Sequence, residues 1–288
     1  MSLKKTIRKF GFVNQLELKP VIHKKTLSQP EIVPDRIKSP FNYKILAGII
    51  TSVIIFHIMI NVVIVPEDAE MTVSIFSVFN PLIASIIGFI IAFRYKGSKV
   101  FQKAYLALSV GLFAIFLGEI TYFVYDLFIP DIEPYPSIAD IFFFAQYPLI
   151  LTHLIINIRF FSPKLNKISK IWMIVFPISI LASYAMLSGF GLDDFEPNFD
   201  FYYGAIFVYA SSLTLSVAIV GAIIFKEGVI GKVWLLLVIG ILCNTIGDTW
   251  YYNLEVFGQY DLGHPVNLFW YAGYWIVIYA LIKHRNVL

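Results

Sequence analysis

The sequence predicts an all-α polytopic membrane protein with eight transmembrane helices, arranged as two parallel four-helix repeats. Three observations carry this reading. First, the 288-residue chain is 58% hydrophobic and only 14% charged, with a mean hydropathy of +0.76, which lies outside the soluble globular range. Second, apolar runs of about 20 residues recur along it, each long enough to cross a hydrocarbon core of roughly 30 Å. Third, under an eight-span count all 22 Lys and Arg residues fall on one side, which the positive-inside rule makes the cytoplasmic side. The expected location is the plasma membrane, with N- and C-termini both cytoplasmic.

Residues 1–42 form a basic cytoplasmic tail, expected to be largely irregular because Pro20, Pro30, Pro34 and Pro40 punctuate it. Leu3, Ile7 and Phe10 share one helical face opposite Lys4, Lys5, Arg8 and Lys9, so a short membrane-surface helix stays open there. No apolar core precedes residue 40, so no cleavable signal peptide is expected. The membrane domain, 43–288, has spans at about 44–65, 71–94, 102–127, 138–160, 171–190, 202–225, 231–253 and 266–283. Asn80-Pro81 removes an amide donor in the middle of the second span and predicts a kink. The inner loops carry Arg94, Lys96 and Lys99, then Arg159, Lys164 and Lys167, then Lys226 and Lys232. The outer segments are acidic: Glu67, Asp68 and Glu70; Asp131 and Glu133; Asp193, Asp194, Glu196 and Asp200; and Asp261 with His264. Such a rim draws cations or cationic ligands, although acids also merely tolerate the outer face.

The repeat is visible in two stretches, Gly118 to Tyr147 and Gly247 to Tyr274. A constant offset superposes Lys103 on Lys232, Gly111 on Gly240, Gly118 on Gly247, Glu119 on Asp248, Tyr122 on Tyr251 and Asp126 on Glu255. After a two-residue gap, Asp140 falls on Asn267, Ala145 on Ala272 and Tyr147 on Tyr274. The halves are therefore about 43–160 and 171–288, of like orientation and related by an axis along the membrane normal.

Acids inside apolar helices are costly unless partnered or used. Glu119, Tyr122 and Asp126 share one face of the third helix, and Asn244, Asp248, Tyr251 and Glu255 share one face of the seventh. Glu119 lies roughly 24 Å along its helix from Lys103, at about 1.5 Å per residue, and Asp248 is equally far from Lys232. These faces are expected to meet as an outward-facing acidic pocket, with Asn267 and the His57–Asn61 pair on its wall. A shared proton, a bound cation or general acid/base chemistry by Glu119 and Asp248 are open, as is a plain role as interhelical glue. Asp140 and Asn267 sit at helix starts, where capping is the expected role, with Ser137 as the competing cap.

Other classes are excluded. Cys243 is the only cysteine, so no intrachain disulfide forms. No spacing sets two imidazoles on one helical face, so no metal site is expected, and His153 lies too deep for the outer pocket. No lysine lies mid-span, which removes a retinal Schiff base. No cofactor is expected. The expected partners are the lipid bilayer and a small ligand or membrane protein, with no nucleic acid.

The stretch PSIADIFFFAQYPLIL, residues 136–151, resembles the multi-spanning N-terminal membrane sensor domains of bacterial and archaeal signalling proteins. In those domains a G-D/E helix end, a short loop and a PSxADxxYxxxYPL helix start recur, usually ahead of diguanylate cyclase or histidine kinase modules. The resemblance implies a sensory role, here without an output domain. A looser resemblance, at Gly118-Glu119, Gly247-Asp248 and Ala145-Gln146, is to the lysoplasmalogenase-like family of eight-helix membrane hydrolases. It implies catalysis by Glu119 and Asp248. Ligand sensing or partner binding is the favoured expectation, a lipid hydrolase the second, and a small-solute or cation transporter the third.

Overall fold

The computed structural model describes residues 42–129, 136–191, 195–226 and 231–285. The expected tail, 1–42, lies outside these residues except for its last member. In chain order the helices are α1 (Tyr43–Ile58, continued by a π-helical turn Met59–Val63), α2 (Pro66–Arg94), α3 (Lys99–Phe128), α4 (Ile138–Phe161), α5 (Lys167–Leu187), α6 (Phe199–Phe225), α7 (Gly231–Val256) and α8 (Asn267–Arg285). No strand occurs among the described residues.

Side-chain caps set most helix starts. Asn42, Ser98, Asn166 and Asn198 accept from amides of the first turns of α1, α3, α5 and α6, satisfying donors that have no intrahelical partner. At α4, Ser137 and Asp140 form a capping box. Two boundaries differ from expectation. Residues 66–70, expected as an outer loop, are the first turn of α2, because Pro66 at its start presets a helical φ. The fifth helix begins four residues before its apolar run, where Asn166 caps it. Pro81, Pro148 and Pro177 all lie inside helices.

Seven helices among the described residues are long and apolar enough to cross a membrane: α1 with its π-turn, and α2 to α7. The predicted eighth span exists as a 19-residue helix but is not one of the seven. Asn267, Trp270, Tyr271, Tyr274, Trp275 and Tyr279 dilute its hydropathy. Its lower half nevertheless lies in the core, with Ile276, Val277, Ile278 and Leu281 all no more than 3% exposed.

Packing neighbours run α2–α3–α4–α6–α7–α8 and back to α2, so six helices close a ring. α1 lies outside it against α8, and α5 outside it against α6. The outer helices leave Ile50, Ile54, Ile55, Ile174, Val175 and Ile178 exposed, as apolar side chains facing lipid would be. Inside the ring, Leu108, Leu112, Ile115, Ile150, Leu154, Leu237, Ile241 and Val277 pack as one apolar cluster. Glycines let the helices approach closely, as small residues do in membrane bundles. A Cβ at Gly111 would lie 3.2 Å from Ile150 and 3.4 Å from the Gln146 carbonyl; at Gly240 it would lie 2.6 Å from Val277 and 3.0 Å from the Gly273 carbonyl. A Cβ at Gly118 would meet the Phe143 ring at 2.6 Å, and one at Gly247 would meet Trp270 at 2.7 Å.

Candidate functional site

Polar residues at one end of the helical ring gather around two carboxylates. Asp248, on α7, is held by three other helices. Its Oδ2 accepts the Tyr147 hydroxyl of α4 at 3.1 Å and the Ser211 hydroxyl of α6 at 2.6 Å. Its Oδ1 accepts the Trp270 indole N–H of α8 at 3.0 Å. Hydrogen bonds to a charged acceptor are among the stronger ones in proteins. Both oxygens are thus engaged, and Thr245 extends the knot, its Oγ1 3.1 Å from Ser211 Oγ.

Glu119, on α3, has no such set, and no hydrogen bond to its carboxylate occurs among the described residues. Tyr260, Tyr271 and Tyr274 lie within its electrostatic reach. Tyr274 is also within electrostatic reach of Asp248. Helices α3 and α7 are not packing neighbours among the described residues, and Asp248 instead reaches side chains of α4, α6 and α8.

The remaining expected residues divide into three groups. Tyr122 donates to Asp140 Oδ2 at 3.4 Å, Tyr203 also hydrogen-bonds to Asp140, and Asp140 accepts the Ser137 amide at 2.6 Å. Asp140 is therefore the reciprocal member of a capping box, with Ser137 as the cap. Asn267, at the start of α8, donates to the Leu262 carbonyl at 2.8 Å and accepts the Tyr260 hydroxyl at 3.2 Å, which ties the 257–266 loop to the helix. Burial, with Tyr271 and the carboxylates of Glu119 and Glu255 nearby, pushes the Tyr260 phenol above its ordinary pKa. Tyr251 packs edge-on against Tyr260 and Trp270. Glu255 acts electrostatically on Tyr122 and Tyr260, whereas Asp126, near the end of α3, is exposed. Asn244 turns its buried Oδ1 toward Gly273, with no hydrogen-bond donor there.

His57 belongs to a third group at the C-terminal end of α1, within reach of Asp261 and His264. Asn61 donates to the His57 carbonyl at 3.0 Å and the Gly263 carbonyl at 3.1 Å. This group borders a cleft of about 200 Å³ lined by Asn61, Glu70, Val73, Asp261, Leu262 and Gly263.

The sequence reading missed Tyr147, Ser211, Trp270, Tyr260, Tyr271 and Tyr274 as members of the site. The repeat offered a signal for Tyr147 and Tyr274, which superpose on each other. Nothing in the local pattern marks Ser211, a small residue in an apolar helix. Each Asp248 oxygen already accepts at least one hydrogen bond, whereas the Glu119 carboxylate accepts none among the described residues. The described residues contain no cluster of three or more His, Cys, Asp or Glu side chains placed to hold a metal ion. Comparisons with protein-family models, curated proteins and solved structures give no match to this chain.

Proposed function

We propose that this is an eight-span plasma-membrane protein with cytoplasmic termini, whose outward-facing pocket recognises a ligand or a partner through Glu119. The observation that carries the reading is the contrast between a carboxylate with no hydrogen-bond partner and an equivalent one saturated by three donors. An acid kept in a membrane bundle without a structural partner is a functional candidate by default. Three tyrosines and an acidic outer rim make its surroundings suited to a small cationic or hydrogen-bonding ligand.

The two-half arrangement has support from contacts as well as sequence. Gly111 with Ile150 and Gln146 corresponds, residue for residue, to Gly240 with Val277 and Gly273. Gly118 with Phe143 corresponds to Gly247 with Trp270, and the Tyr122–Phe143 ring contact to Tyr251–Trp270. The six-helix ring has the same order under exchange of halves, and only α1 and α5 depart from it. The eighth span is supported by the charge pattern, since seven spans would put Lys283 and Arg285 outside.

The hydrolase alternative is weaker, because both Asp248 oxygens are engaged and no hydrogen bond links a histidine to Ser211 among the described residues. Native mass spectrometry of the intact protein in its co-purified lipid tests the reading. A retained small molecule, lost from Glu119→Gln and kept by Tyr122→Phe, is the expected result. Turnover of a lysolipid panel by the wild type, abolished in Asp248→Asn, would instead establish the hydrolase.

A further inference from the structure

The cleft formed by the C-terminal end of α1, the start of α2 and the 257–266 loop is lined by neither Glu119 nor Asp248. Its apolar lining includes Ile60 and Val73, 5% and 4% exposed, which pack with Leu262. Its polar lining is Asn61, Glu70 and Asp261, all three exposed. Neither carboxylate makes a hydrogen bond or an ion pair among the described residues. Asn61 sits in the π-helical turn Met59–Val63 and gives both amide protons to the His57 and Gly263 carbonyls. Its Oδ1 is left to accept.

Two of these oxygens converge. A Cβ built on Gly263 would lie 2.8 Å from Asn61 Oδ1 and 3.1 Å from Asp261 Oδ1. The oxygens are therefore no farther apart than those two lengths laid end to end. One ammonium nitrogen bridges such a gap with N–H···O bonds of about 2.7–3.2 Å. Glycine at position 263 keeps a side chain out of that space. Both acceptors are also held in place: Asn61 by its two amide bonds, and the Asp261 backbone by the His264 amide, which donates to its carbonyl at 3.0 Å.

Charge decides what belongs there. No lysine or arginine occurs in residues 45–93 or 233–282, the stretches that build the cleft. His264 accepts the Val266 amide on Nδ1 at 3.1 Å, which needs a lone pair there and leaves the ring neutral. His57 lies within reach of Asp261 but does not line the cleft. A hard metal ion wants about six or more oxygens, and no cluster of three metal-ligating side chains occurs among the described residues. An organic cation fits the whole lining, its N–H donors on the oxygens and its carbon body on Ile60, Val73 and Leu262. The volume of about 200 Å³ exceeds the roughly 150 Å³ that takes a benzene ring. A single exposed carboxylate would hold such an ion weakly; two carboxylates and an amide oxygen on one partly apolar cleft hold it better. We propose that this cleft binds a small primary ammonium ion with a compact apolar body, its nitrogen held by Asp261 and Asn61 and its charge balanced further by Glu70.

The test is saturation binding of radiolabelled benzylammonium to the full-length protein in nanodiscs of neutral phosphatidylcholine. One equivalent should bind saturably per chain. Unlabelled cyclohexylmethylammonium should displace it, whereas benzyl alcohol and phenylacetate should not. Asp261→Asn should weaken binding by about tenfold or more, and Glu70→Gln by about threefold. Gly263→Ala keeps both charges but fills the space beside the oxygens, so it should weaken binding by about fivefold or more. Glu70 and Asp261 are exposed, so their variants should melt with the wild type. Glu196→Gln, at an exposed acid outside the cleft, should leave binding unchanged. The absence of saturable binding to the wild type, displacement by benzyl alcohol, or binding kept by both Asp261→Asn and Gly263→Ala would each overturn the proposal. Loss of binding in Glu119→Gln with retention in Asp261→Asn would place the amine at Glu119 and overturn the cleft site while leaving the Glu119 reading standing.

Discussion

Asp248 and Glu119 fall on each other when two stretches of the sequence are superposed, yet they live under different rules. Asp248 is the point where α4, α6, α7 and α8 are tied together, each of its oxygens taken by a side chain from another helix. Glu119 sits among the phenols of Tyr260, Tyr271 and Tyr274 without a hydrogen bond to any of them. One difference lies in what the neighbouring helices bring. Position 270 of α8 is a tryptophan with an N–H to give, while its counterpart in α4, Phe143, has none. Asp248 is tied into the packing of its neighbours, while the Glu119 carboxylate accepts no hydrogen bond among the described residues.

The sharpest way to break this comparison is to remove each acid in turn. Asp248→Ala strands the Tyr147, Ser211 and Trp270 donors, and at about 1 kcal/mol or more per buried donor the loss should reach about 2–4 kcal/mol. Glu119→Ala breaks no hydrogen bond and should change stability by less than about 0.5 kcal/mol. Thermal unfolding in detergent reads both. Equal losses would abolish the distinction.

The close helix approaches give the next largest effect. Gly240→Ala would bring a Cβ to 3.0 Å from the Gly273 carbonyl as well as onto Val277, and forcing α7 from α8 should cost about 1–3 kcal/mol. At Gly118→Ala the nearest atoms to the new Cβ belong to the Phe143 ring, a side chain rather than backbone, so its loss should be smaller. The same melts rank the two.

Smaller again is the Trp270 contact. Trp270→Phe installs the residue type found at position 143 and removes one hydrogen bond to Asp248, so a loss of about 1 kcal/mol is expected. Combining it with Asp248→Ala should cost less than the two separate losses added, because the shared bond is counted once. Strict additivity would show that the indole does not act through the carboxylate.

Much of this architecture was legible in the chain. Helix positions follow from apolar run length and from caps such as Ser137 and Asn166, which are local signals. Ser137 with Asp140 read correctly as a helix start. What could not be read was which acid would be satisfied. That depends on Ser211 and Trp270, distant in sequence and brought to α7 only by helix packing. His57 had a local partner in Asn61, and that pairing holds, but the pair borders the 257–266 loop.

The central claim is that Glu119 is the recognising carboxylate and Asp248 the structural one. It is tested most directly by comparing ligand occupancy in Glu119→Gln and Asp248→Asn by native mass spectrometry, each beside its melting temperature. The account predicts that Glu119→Gln melts as the wild type does and loses the co-purified molecule, whereas Asp248→Asn melts lower and its folded fraction retains that molecule. Retention by Glu119→Gln together with loss from folded Asp248→Asn would contradict it.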